Sequence, residues 1–226
     1  MCIINVKNLS AYYENRIVFE NLSFSVEEGD YLCIIGENGS GKTTLMKTLL
    51  GMDIKHSGTI EFKDFNKNEI GWLPQRTEHQ RDFPASVREV VMSGFAGRGF
   101  LGFIYGKRLK KRAEENMKIL DISGIAEQSF SELSGGQQQK VLLCRALCAA
   151  KKVLLLDEPT AALDSASAKE LYTLIRRLNQ NGLAVIMITH DIQRAVAEAK
   201  HILCLSENEA FFGSDAQYVE YTKGDI

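Results

Sequence analysis

Proline is scarce, 3 residues in 226, and no apolar run approaches the ~18 residues that a membrane-spanning helix needs. Beside 18 glycines, so few prolines exclude a collagen-like or low-complexity chain. The first residues, MCIINVKNLS, lack the cationic stretch and apolar core of an export signal, so neither export nor a membrane span is expected. Binding to a membrane protein is left open. Charge of one sign is missing too: 27 basic and 29 acidic residues leave a formal charge of −2, and the isoelectric point is near 6.1. Nucleic-acid-binding domains carry a strong basic excess, so no nucleic-acid partner is expected. The 5 cysteines include no C-x-x-C pair, and several sit in apolar stretches. They read as reduced thiols of a cytosolic chain. What is present is 45% hydrophobic and 25% charged residues, enough for one globular domain, or one with a sub-domain attached.

Residues 3–6 and 17–26 have strand composition, with Leu22, Phe24 and Val26 alternating against Ser23 and Ser25. Such alternation predicts antiparallel strands with one wet face. Continuous apolar runs follow at 31–35 (YLCII), 153–156 (VLLL) and 184–188 (AVIMI). These predict parallel strands buried on both faces. Helical patterns at 41–50, 135–150 and 165–180 accompany them, which makes the core an α/β domain with a parallel sheet. The 76–132 stretch interrupts this order and holds a helical segment at 107–121. It is expected to form an inserted helical sub-domain, which with the helix that follows runs over about 76–150.

Strand YLCII leads into GENGSGKTT at 36–44, a match to G-x-x-x-x-G-K-[ST] with a strand before and a helix after. Gly36, Glu37, Asn38, Gly39, Ser40 and Gly41 would form a phosphate-binding loop, its glycines letting backbone N–H groups turn inward toward phosphate oxygens. Lys42 would reach the β- and γ-phosphates, Thr43 would place its hydroxyl on Mg²⁺, and Thr44 would help hold the phosphate behind it. At 153–158, VLLLDE ends a buried strand in two carboxylates. Asp157 would join the Mg²⁺ shell, and Glu158, on the other side of the pleat, would face a water. Between these motifs, LSGGQ at 133–137 opens a second helix whose N–H groups could meet an anion. One nucleotide does not need two such ends from one small domain, which suggests that the second serves a nucleotide held by another copy of the chain.

On these residues the chain resembles the ATP-binding subunit of an ABC transporter, from residue 3 to about 212. The family's motifs stand in order: GENGSGKTT, the loop glutamine Gln75 in WLPQ, the signature LSGGQ, VLLLDEP, AALD at 161–164, and the switch histidine His190 in ITHD. The resemblance implies a P-loop ABC ATPase core with an antiparallel β sub-domain and an inserted α-helical sub-domain. It implies ATP and Mg²⁺ as cofactors, Glu158 as general base, Gln75 on Mg²⁺ or the attacking water, and His190 on the γ-phosphate. Ser134, Gly135, Gly136 and Gln137 would close on the nucleotide of a second copy. Tyr13, 23 residues ahead of the loop, stands where the family's aromatic stacks on adenine, with Tyr12 as its rival. Also implied are a separate membrane permease, an extracytoplasmic solute-binding protein, and a cytoplasmic place on the inner face of the cell membrane.

The segments DFPASVREVVMSG (82–94) and SGGQQQKVLLCRAL (134–147) are similar to zinc and manganese importer subunits. Siderophore, haem and cobalamin importers are the nearest alternatives. ABC ATPases acting on DNA or ribosomes generally need a long coiled-coil insertion or two cassettes, whereas Gln75 and Leu133 here are 58 residues apart in a single cassette. A P-loop kinase or GTPase would lack LSGGQ and His190. The segment 94–106, with Phe95, Phe100, Phe103 and Tyr105, reads either as a packed loop or as a contact for a permease helix. The basic run Lys107, Arg108, Lys110, Lys111 and Arg112 reads as a solvated helix face within reach of anionic headgroups. His56, His79 and His201 lack metal-ligand spacing and read as structural or solvated. After strand HILCLS and a turn at ENEAFFGS, no further regulatory domain is expected.

Overall fold

The computed structural model describes residues 1–13, 16–75, 84–96, 106–206 and 210–224. Alternating residues near the start form two antiparallel strands, β1 (Cys2–Tyr13) and β2 (Arg16–Glu27). Both are longer than their apolar cores suggest. After β3 (Tyr31–Gly36) and α1 (Lys42–Leu49), strand β4 (Lys55–Phe62) pairs with the other edge of β1, giving the order β2-β1-β4. β4 escapes the sequence reading because its residues are mostly exposed, with only Ile60 and Phe62 partly covered.

The second sheet has six strands. Its order is β5-β6-β7-β3-β8-β9, from β5 (Gly71–Leu73), β6 (Val153–Asp157), β7 (Ala184–Ile188), β8 (His201–Leu205) and β9 (Ala210–Ser214). All pairs are parallel except β8–β9. The apolar runs are buried on both faces, as their composition predicts. Tyr31, Cys33 and Ile35 enter one apolar layer while Leu32 and Ile34 enter the other. Each such side chain, fully covered, contributes about 1.5–3 kcal/mol. One layer lies under α1 and the antiparallel sheet. The other lies under α2 (Val87–Ser93), α3 (Lys107–Ile119), α4 (Gly135–Ala149) and α5 (Ser165–Gln180). Burial pushes the Cys33 thiol up to about 12, so it is an inert core group.

The remaining segments correct some sequence expectations and decide others. The segment read as a turn at ENEAFFGS contains β9, where Phe211 stacks on Tyr221 of the closing helix α7 (Asp215–Gly224) with ring centroids 4.7 Å apart. A five-residue edge strand becomes visible only through its partners. Phe95, whose segment reads either as a packed loop or as a permease contact, is 1% exposed and packs in the core of α2, α3 and α4, which is the packed alternative. Phe100, Phe103 and Tyr105 lie outside the described residues, as does His79. On α3, Lys107, Arg108, Lys110 and Lys111 are exposed, but Arg112 is partly buried and donates to the Ala150 carbonyl. His201 is structural: its Nδ1 lies 2.9 Å from both carboxylate oxygens of the buried Asp30. His56 is exposed. Among the described residues no helix is long and apolar enough to cross a membrane.

Candidate active site

The C-terminal ends of β3, β5, β6 and β7 converge on one cleft, the usual place for a ligand in a parallel α/β sheet. β3 passes into the loop 36–41, which α1 continues. Gly36 (φ 145°) leaves no room for a side chain, since a Cβ there would stand 2.2 Å from the Leu205 carbonyl oxygen. Gly41 (φ 93°) begins α1, and a Cβ would stand 2.7 Å from Val18 Cγ1. No side chain caps α1, so its first N–H groups stay available. Lys42, 6% exposed, folds back over the loop and donates to the carbonyls of Gly36 (2.9 Å) and Glu37 (2.6 Å). Burial holds its ammonium below the ordinary lysine value, with Glu158 and Asp157 acting the other way.

Asp157 ends β6 and is 2% exposed. Its Oδ2 accepts from Thr43 Oγ1 at 3.3 Å. Its buried Oδ1 has no partner among the described residues, nor has the buried hydroxyl of Ser40. Burial raises the Asp157 carboxyl above its ordinary value. A buried carboxylate oxygen left unpaired beside a threonine hydroxyl is the donor set that a small, hard, oxygen-seeking cation takes, so these residues fit Mg²⁺. The glycine loop with its uncapped helix end fits phosphate.

Glu158 takes a left-handed backbone (φ 48°), uncommon for a residue with a side chain. This turn aims its carboxylate at two groups from neighbouring strand ends. His190, just after β7, brings Nε2 to 2.6 Å from Oε1, and Gln75, just after β5, donates from Nε2 to Oε2 at 3.0 Å. Asn38, Gly39 and Gly41 of the loop, with Lys42, Thr43, Thr44, Gln75, Glu158 and Tyr13, line a cleft of about 430 Å³, whereas Gly36, Glu37 and Ser40 do not line it. Tyr13 is 62% exposed at its mouth, whereas Tyr12 is half-buried and does not line it. Val18 also lines it. Nothing local in the sequence marks this strand valine for the site.

The signature residues lie elsewhere. Ser134 caps α4, accepting from the Gln137 N–H at 3.3 Å, while Gln137 Oε1 accepts from the Ser134 N–H at 2.9 Å. None of Ser134, Gly135, Gly136 and Gln137 lines the Lys42 cleft.

Residues 19–161 match the family model described as ABC transporter. A zinc uptake system ATP-binding protein of Listeria innocua (ZurA) is 34% identical over 97% of this chain and 88% of its own length. A manganese transport system ATP-binding protein of Bacillus subtilis (MntB) is 37% identical over 93% of this chain and 86% of its own. Among solved structures, an inward-facing ABC transporter assigned to the metal-chelate type superposes with a TM-score of 0.85 at 32% identity, covering 96% of this chain and 85% of that one.

Proposed function

This chain belongs to the ABC transporter family as an ATP-binding, ATP-hydrolysing subunit, and we propose that it powers import of zinc or manganese through a separate membrane permease. The observation that carries the metal is the similarity, over more than nine-tenths of the chain, to ATP-binding proteins named for zinc uptake and manganese transport. A second copy of the chain, the permease and an extracytoplasmic solute-binding protein complete the system. The subunit sits peripherally on the inner face of the cell membrane.

The chemistry follows from what each side chain can give up. Lys42 exchanges the Gly36 and Glu37 carbonyls for the β- and γ-phosphate oxygens of ATP. Main-chain N–H groups from Gly36, Glu37, Asn38, Gly39, Ser40, Gly41 and Thr44 enclose the phosphates, and Tyr13 stacks on adenine at the mouth. Thr43 and Asp157 would hold Mg²⁺, and Gln75 would contact it or the attacking water. When bound, Mg²⁺ neutralises charge that builds on the phosphate oxygens. Glu158 takes a proton from the attacking water. His190 now spends its hydrogen bond on Glu158, so it must turn to the γ-phosphate before the carboxylate is free for water. Ser134, Gly135, Gly136 and Gln137 lie outside their own cleft and serve the nucleotide in the partner's cleft.

Glu158→Gln keeps the shape but cannot accept a proton, so hydrolysis should fall by about 10²–10⁴ while ATP still binds. Turnover near wild type would move the base to another group. For transport, the subunit and its permease in proteoliposomes should take up radioactive zinc or manganese ions on ATP addition. The likeness to a metal-chelate transporter supports one other cargo, a chelated metal such as a siderophore, haem or cobalamin. Uptake of a chelate and not of the free ion would select that reading.

A further inference from the structure

The strained turn at Glu158 is held from two sides by residues that no nucleotide would touch. Gln139, on α4 two positions beyond the signature, is 3% exposed, and its Nε2 donates to the carbonyl of Pro159 at 2.7 Å. Its own amide oxygen has no partner among the described residues, so that single bond is what its burial achieves. From α5, the buried hydroxyl of Tyr172 accepts from Thr160 Oγ1 at 3.1 Å. Arg194, on the helix α6 (Ile192–Glu198) that follows His190, covers the Tyr172 ring with its guanidinium carbon 3.9 Å from the centroid. Arg194 is anchored in turn by Asp191 at 3.4 Å and Glu198 at 3.5 Å.

A non-glycine residue in the left-handed region persists only where its surroundings over-determine it. The bonds of the Glu158 carboxylate to Gln75 and His190 cannot serve that purpose through a reaction cycle, because both partners are needed elsewhere. Its backbone contributes a bond to Ile188 at the end of the adjacent strand β7 and one to Ala161 within the turn, each 3.2 Å. The grips on Pro159 and Thr160, the next two residues, are the ones that reach out to other helices.

We propose that Gln139 and Tyr172 are positioning residues for Glu158, and that Gln139 ties the signature helix to the Glu158 turn of the same chain. Engagement of the α4 N-terminus by a nucleotide in the partner's cleft is thereby felt at the base in the chain's own cleft. Tyr172 and Arg194 supply the matching tie between that turn and α6, the helix that follows His190.

The proposal rests on Glu158 being the base, and one set of assays separates the two claims. Gln139→Leu and Tyr172→Phe are made in the full chain, alone and on Glu158→Gln, at protein concentrations where wild type hydrolyses ATP. Each single variant should lose about 10-fold in kcat, with KM for ATP and nucleotide affinity within about twofold of wild type. On Glu158→Gln neither should lower the residual rate further, since a residue acting only through Glu158 has nothing left to position. Equal losses in both backgrounds, or wild-type kcat in both variants, would overturn the proposal. Should Gln139→Leu fail to fold, Tyr172→Phe removes one hydroxyl and decides alone. Near-normal turnover in Glu158→Gln itself would instead overturn the base assignment beneath it.

Discussion

The two helix ends that could meet phosphate are built on opposite plans. α1 starts at Gly41 without a side-chain cap, beside a buried lysine that spends its donors on loop carbonyls; two buried oxygens nearby, Ser40 Oγ and Asp157 Oδ1, have no partner among the described residues. α4 starts at Ser134 inside a reciprocal cap with Gln137. The first end is left incomplete by its own chain, and the second satisfies much of its own hydrogen bonding. An incomplete end gains most from a ligand, so the isolated chain should take nucleotide at α1. The capped end, with main-chain N–H groups and small glycines to offer, should add its share only when a nucleotide is carried to it.

The sharpest way to break this contrast is a charge at the capped end. In the Glu158→Gln background, Mg-ATP should drive a head-to-tail dimer visible by size-exclusion chromatography. Gly136→Asp should abolish it by setting a carboxylate against the partner's γ-phosphate. ATP affinity of the monomer should stay near the parent's, although a Cβ at 136 would stand 3.0 Å from Ser167 Oγ and Ser167 must shift to admit it. Loss of ATP binding in Gly136→Asp would place the signature in the chain's own cleft. A Glu158→Gln protein that stays monomeric in saturating Mg-ATP would remove the need for a second copy.

Next in size is the uncapped end. Lys42→Ala removes a charge-assisted contact worth about 1.5–3 kcal/mol, so ATP affinity measured by calorimetry should fall about 10–100-fold. The expected damage is to nucleotide binding itself, where Gly136→Asp should damage only assembly. Equal affinity losses in the two variants would erase the distinction between the ends.

The contrast also marks what could be read from residues alone. Both ends were visible because their motifs are contiguous and their strands β3, β6 and β7 are unbroken apolar runs. Three strands were not: β4 is mostly exposed, β5 has three residues and no period to detect, and β9 is recognisable only by its pairing with β8. The meeting of Gln75 with Glu158 spans 83 positions and was reached through family resemblance, not spacing. Gln139 passed as one more polar residue in QQQK, because burial of an amide against the Pro159 carbonyl is a tertiary event with no local signature. Phe95 carried an equally weak local signal, an aromatic among glycines, which fits a core position as well as a surface one.

The smallest expected effect is one of stability, and it belongs to the uncapped end alone. Asp157 is raised above its ordinary carboxyl value chiefly by burial, with the Thr43 hydrogen bond opposing and Glu158 adding to the rise. A carboxyl that is raised on folding stabilises the fold in its protonated form. That contribution is full below the unfolded value and is lost as pH climbs through the folded one. The ionised form is a buried charge whose Oδ1 has no partner among the described residues. Asp157→Asn keeps the shape and an acceptor for Thr43 while removing the charge. If it relieves about 1 kcal/mol, the melting temperature of a domain this size should rise by about 2–4 °C near pH 7. The gain should shrink as the pH is lowered through the raised titration of the folded Asp157 carboxyl. Added Mg-ATP should reverse the ranking, because the wild-type carboxylate then gains a cation that the amide holds poorly. Melting curves across pH, with and without Mg-ATP, check both halves. A variant less stable than wild type at neutral pH without ligand would mean that Asp157 is already satisfied by its own chain, and the two helix ends would no longer differ in the way drawn here.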